Sequence, residues 1–180
     1  MRVCLALLGF AFAIVSAPAL ADEDTDFGVA PVATLRVADH SAPTPREVPG
    51  ARTVGTAQLR EWLQSERRDQ PLLFDVLGGE THESLPGAIW LPGAGRGQSL
   101  QDAVQEQLAS TLRAATTGER GRPLVFFCQG PQCWLSYNAA LRAVALGYDA
   151  VYWYRGGIEA WLAAGGELAP LRLAWRKPAQ

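Results

Sequence analysis

The sequence of 180 residues predicts a single α/β domain with a central parallel sheet flanked by helices on both faces. Three observations carry this expectation. Short apolar runs at Leu72–Val76, Ala88–Leu91, Leu124–Phe127 and Val151–Tyr154 have the length and the β-branched or aromatic content of buried strands. Segments of helical periodicity separate the last three of them. Strands that alternate with helices pair in parallel, because each connection must cross back over a face of the sheet. Hydrophobic residues make up 48% of the chain and charged ones 19%, enough apolar side chain for one core of ordinary size.

Residues 1–21 stand apart. Arg2 precedes the apolar run Cys4–Val15, and Ala19-Leu20-Ala21 is followed by the acidic Asp22-Glu23-Asp24. The expectation is a secretory signal peptide cleaved after Ala21, its apolar core too short to span a bilayer. Removing Arg2 from the 16 Lys+Arg leaves 15 against 18 Asp+Glu, a net charge of −3. There is no basic patch for nucleic acid and no later apolar stretch of spanning length. Residues 22–52, acidic and then rich in Pro and Ala, read as a mostly extended arm or linker, with packing against the domain left open. The domain itself is expected over 53–168, and 169–180 as a loose tail around Trp175.

Within the domain, Thr56 is placed to cap a helix from Ala57 to about Arg68, with Leu59, Trp62 and Leu63 on one face. The run Leu72–Val76 contains Asp75, expected to order nearby loop amides. A polar loop at 77–87 holds His82. Ser99 and Asp102 form a capping box before a helix at 100–115, where Leu100, Val104, Leu108 and Leu112 recur every fourth residue. Asn138–Leu146 is a helix that stops at Gly147, and Ile158–Ala164 a short one closed by Gly165-Gly166. Trp62, Trp90, Trp153 and Trp161 fit the core pattern.

Without Cys4, two cysteines remain, five positions apart. Cys128 follows the strand 124–127, and Cys133 precedes a helix. Ligands of parallel sheets collect at the carboxyl ends of strands, and a helix N-terminus favours a thiolate. Cys128 is the candidate nucleophile and Cys133 its partner. Gln129, Gly130, Gln132, Trp134 and Ser136 form the candidate substrate-binding set around them. Trp134 fits either a pocket lining or helix-start packing. No metal site is expected, since two cysteines are too few ligands for closed zinc coordination, and His40 and His82 are distant in sequence.

Three blocks carry a resemblance. Leu73-Phe74-Asp75-Val76, Leu85-Pro86-Gly87-Ala88 running to Pro92, and Arg155-Gly156-Gly157-Ile158-Glu159-Ala160-Trp161 with Ala164-Gly165 resemble the rhodanese-like family. The resemblance implies the rhodanese-like fold, sulfur transfer, and Cys128 in the position of the catalytic cysteine. Phe127-Cys128 and Cys133-Trp134, with the arm segment Pro43–Ala51, are similar to exported rhodanese-like proteins known as PQQ-dependent catabolism-associated CXXCW motif proteins. That narrower likeness implies a periplasmic accessory of a quinoprotein dehydrogenase system, with PQQ on a partner and no cofactor of its own. The departures are specific. No Arg or Lys lies between Cys128 and Arg142, Pro131 removes one loop N–H, Leu77 stands where the family's first strand ends in Arg, and Ser84 replaces a loop His. Two functions stay open. One is a sulfur carrier, sulfurtransferase or thiol–disulfide redox protein, with a persulfide on Cys128 and a small sulfur donor or acceptor. The other is an inactive binding module whose Cys128–Cys133 pair is a structural disulfide.

Overall fold

The computed structural model describes residues 22–65, 70–80 and 83–171. The expected signal peptide, His82 and Trp175 lie outside these residues, as does Arg68, the expected end of the first helix; the helix stops earlier, at Gln64, with Ser65 its extended C-cap. The element order is β1 (Arg52–Thr53), α1 (Thr56–Gln64), β2 (Leu72–Asp75), β3 (Glu83–Ser84), β4 (Ile89–Trp90), α2 (Ala103–Ala115), β5 (Leu124–Phe127), α3 (Trp134–Ala145), β6 (Val151–Trp153), α4 (Gly157–Ala163) and β7 (Ala169–Pro170). Five strands form one parallel sheet in the order β1-β6-β5-β2-β4. β3 and β7 make a separate antiparallel pair, so part of the expected tail is tied down at Ala169 and Pro170.

The pleat sorts the strand residues between two cores. Phe74, Leu124 and Phe126 face α2 and α3, where they pack with Leu108, Leu112, Tyr137 and Ala140. Leu73, Val125 and Phe127 face the other way, onto Leu59 of α1 and Ile158 of α4. Strands without polar alternation follow from this, since both faces are covered. All four residues of β5 are fully buried. Burying a side chain of this size contributes roughly 1.5–3 kcal/mol, so the central strand outweighs any surface ion pair.

Helix starts differ from expectation at three places. Thr56 is the first residue of α1 and not its cap: Gly55 is the N-cap, and the Thr56 hydroxyl bonds Glu23 Oε2 at 2.8 Å and Tyr154 OH at 2.7 Å. Ser99 does not open α2; Asp102 is its N-cap and accepts the Gln105 N–H at 3.0 Å. Its second oxygen accepts the Gln98 and Ser99 amides and pairs with Arg142 at 2.9 Å. A carboxylate serves all these donors at once, which a hydroxyl cannot do. α3 begins at Trp134, four residues before Asn138. Its first N–H donates to the carbonyl of His40 at 2.9 Å, a partner from the arm that local sequence cannot reveal. The C-terminus follows expectation. Gly147 takes φ +80°, its N–H reaches Val144 O, and the Tyr148 N–H reaches Ala143 O, as in a Schellman cap.

Candidate functional site

Register fixes where the cysteines stand. Asp75 of β2 pairs with Phe127 of β5, and Phe126 with Trp153 of β6, so these three strands end along one edge. Cys128 is the first residue past that edge and Cys133 the N-cap of α3. A disulfide joins them, with the Cα atoms 6.5 Å apart. Inside the ring, the Cys133 N–H donates to Gly130 O at 3.1 Å. α4 clasps the loop from the other side: Ile158 N–H donates to Cys128 O at 3.0 Å and Glu159 N–H to Gln129 O at 2.9 Å. Gly157 makes this possible. It takes φ +57°, and a Cβ there would stand 2.3 Å from Cys128 O.

A cleft of about 900 Å³ opens along this edge. Gln129, Gly130, Gln132 and Cys133 form one wall. Leu77, Trp90, Pro92 and Arg96 form the opposite one, and His40 of the arm, Glu80 and Glu159 complete it. The structure therefore brings together three of the five proposed substrate contacts and Cys133. Cys128 is 1% exposed and Cys133 8%. Trp134 lies under the arm, donating its indole N–H to Pro43 O at 3.0 Å, with the Arg36 guanidinium 4.9 Å above its ring. Ser136 is buried, donates to Cys133 O at 3.3 Å and accepts the Trp153 indole N–H at 3.0 Å. Asp75 orders loop amides as expected: it accepts the Leu77 N–H at 2.8 Å and the Ser84 hydroxyl.

The arm is part of the site. Ser41 bridges Cys133 in antiparallel fashion. Thr44, fully buried, donates both its N–H and its hydroxyl to Pro131 O, at 3.2 and 2.7 Å. Arg155, also buried, donates to Thr44 Oγ1 and Thr44 O at 3.1 Å each, and to Glu23 O. The guanidinium beside the family's GG turn thus fastens the arm and does not face the sulfur atoms. Further along, Tyr137 OH exchanges hydrogen bonds with Val32, and the Asn138 amide does so with Arg36.

Sequence reasoning passed over Arg96, His40 and Glu80. Arg96 lies in Pro92-Gly93-Ala94-Gly95-Arg96-Gly97, a glycine-rich run after a strand end, which was the available signal. Gly95 lets this loop touch α3: a Cβ there would meet Leu135 O at 1.9 Å. Burial, then the charge of the nearby Arg96, pushes the His40 imidazole below its ordinary pKa. Its Nε2 is buried and has no hydrogen-bond partner. Among the described residues, no cluster of three or more His, Cys, Asp and Glu could hold a metal ion.

A parallel sheet with helices on both faces, and a disulfide-bearing loop between a central strand and a helix, defines an α/β class of domain. Within it, the model of the rhodanese-like domain family matches residues 48–164, and the chain belongs to that family. The fold is similar to a thiosulfate sulfurtransferase from Pseudomonas aeruginosa, at 16% identity and a TM-score of 0.52. The match covers 73% of this chain and 22% of that one, so the chain spans about a fifth of that enzyme's length. A protein from Bacillus halodurans aligns at 22% identity and a TM-score of 0.50, over 66% of this chain and 77% of its own. No protein of curated function matches the chain.

Proposed function

We propose that the protein is an exported sulfur-handling protein in which Cys128 and Cys133 cycle between dithiol and disulfide. The observation that carries the reading is the disulfide itself, placed at the carboxyl edge of the sheet with one sulfur-bearing residue lining an open cleft. A purely structural bridge gains little from so short a ring, since loop-closure entropy grows with ring length.

The chemistry proposed is sulfane-sulfur reduction. In the dithiol form, the Cys128 thiolate attacks the outer sulfur of an organic persulfide, R–S–SH. The S–S bond breaks, R–S⁻ leaves and takes a proton, and Cys128 carries a persulfide. The Cys133 thiolate then attacks Cys128 Sγ, expelling sulfide and closing the disulfide. Two electrons pass from the dithiol to the sulfane sulfur. Thiosulfate is a poor fit, because a dianion needs donors that this loop lacks. Pro131 has no N–H, the Cys133 and Trp134 N–H groups are taken by Gly130 O and His40 O, and Glu159 lies against the loop.

The test is to expose reduced protein to glutathione persulfide and read sulfide release and intact mass after acid quench. The expected result is about one sulfide per chain with closure of the disulfide, abolished in Cys128→Ser. A disulfide that resists millimolar dithiothreitol, or a dithiol that releases no sulfide, sinks the reading. The arm favours a second one. Backbone and side-chain bonds from Val32 to Thr44 cover the loop, as suits an inactive binding module with a structural disulfide. Support for periplasmic location, and for service to a PQQ-dependent dehydrogenase, is the sequence resemblance around Cys128–Trp134 and Pro43–Ala51. Release from cells by osmotic shock, without the first 21 residues, is the check on export.

A further inference from the structure

The two sulfur-bearing residues are not equivalent toward the cleft. Cys133 lines it beside Gly130 and Gln132, whereas Cys128 is 1% exposed and packed into the core that faces α2 and α3. We propose that the disulfide is reopened by an organic thiol that enters the cleft and attacks Cys133, with Cys128 as the leaving sulfur. The inference rests on the dithiol–disulfide reading and specifies the half-reaction that restores the dithiol.

The step balances as follows. The incoming R–S⁻ forms a bond to Cys133 Sγ as the Cys128–Cys133 bond breaks. Cys128 leaves with the electron pair and takes a proton. A second R–S⁻ attacks the thiol-derived sulfur of the mixed disulfide, giving R–S–S–R and the Cys133 thiolate, so two thiols are oxidised and the protein disulfide is reduced. Three features support this direction. Attack at a disulfide runs in line with the S–S bond, and in the oxidised form it is Cys133, not Cys128, that lines the cleft. The Cys133 carbonyl lies 3.8 Å from Cys128 Sγ, an acceptor for the S–H that forms on release. The arm holds the target in place, through the Ser41 bridge to Cys133 and the Trp134 N–H bond to His40 O. The order is the reverse of the oxidative half-reaction: Cys128 meets the sulfur donor in the dithiol, and Cys133 meets the reductant in the disulfide.

The experiment uses the oxidised wild-type protein and reduced glutathione as probe. At short times the reaction is stopped with excess N-ethylmaleimide, which caps the residual glutathione and the protein thiol that was released, and peptide fragmentation locates both labels. The expected product carries glutathione on Cys133 and maleimide on Cys128, in at least tenfold excess over the inverse. Glutathione mainly on Cys128 overturns the inference and leaves the dithiol–disulfide reading standing. Absence of any mixed disulfide, with the bond intact in excess thiol, overturns both.

Discussion

At the scale of single residues, the strongest electrostatic feature lies away from the sulfur atoms. Arg142 is fully buried in α3 and donates to both oxygens of Asp102, to Gln105 Oε1, and to the carbonyls of Ser99 and Arg96. Burial by itself would raise the Asp102 carboxyl. The Arg142 guanidinium and the amides of Gln105, Ser99 and Gln98 outweigh that and hold it at about 2. An acid depressed in the folded state stabilises it above the unfolded value near 3.9, and that contribution is lost as pH falls through about 2. The contribution is on the order of 2 kcal/mol. Asp102→Asn should remove this slope from urea titrations between pH 5 and 2. It should also cost roughly 3–5 kcal/mol at pH 7, because Arg142 keeps its charge in the core. An unchanged slope would assign the acid sensitivity elsewhere. Gly157 makes a second prediction at this scale. Gly157→Ala combines a left-handed φ with a Cβ 2.3 Å from Cys128 O, and should lower stability by roughly 2–4 kcal/mol while pushing the cysteine loop out of place. Loss of disulfide in freshly purified protein, read by thiol titre, would accompany it.

At the scale of elements, legibility followed the range of the interactions. β5 and the end of α3 were readable because they depend on neighbours in the chain, an apolar run and a glycine at C′. The start of α3 was not, because its first N–H is satisfied by His40, more than ninety positions earlier. The two-residue strands β1, β3 and β7 were invisible for the same reason, since nothing but their partners defines them. Of the site, the cysteines and loop glutamines were legible from placement, whereas Arg96 and His40 reach the cleft through contacts that Gly95 and the arm permit. The arm itself behaves as an element of the fold. Thr44 and Arg155 share a buried network in which each of the three guanidinium nitrogens donates to a neutral oxygen. Arg155→Met should leave both Thr44 oxygens short of a donor and cost roughly 1–3 kcal/mol. Limited proteolysis should then cut between residues 24 and 45 sooner than in wild type. Equal protection would mean that the Tyr137 and Asn138 bonds alone hold the arm.

At the scale of the whole molecule, the question is whether the fold tolerates the dithiol state that its proposed chemistry requires. Two separate cores hold the sheet, one against α2 and α3 and one against α1 and α4. The disulfide spans only the loop between β5 and α3. Its ring closes six residues, for which chain entropy gives roughly 2 kcal/mol. Single domains of this size have total stabilities of about 5–15 kcal/mol, so losing that amount leaves a folded protein. The loop also keeps four tethers that do not involve sulfur: the Ile158 and Glu159 amides, the Thr44 bonds to Pro131, and the His40 bond to Trp134. Reduction should therefore lower the thermal midpoint by about 4–8 °C, at 2–4 °C per kcal/mol for a chain of this length, with one cooperative transition retained. The Cys128→Ser/Cys133→Ser double variant should match the reduced wild type, which separates loss of the bond from any effect of the reductant. Collapse of the transition in either sample would show that the pair is structural, and the dithiol cycle would fall with it. A small, equal shift in both would show a fold that stands without its disulfide and leaves the pair free for chemistry.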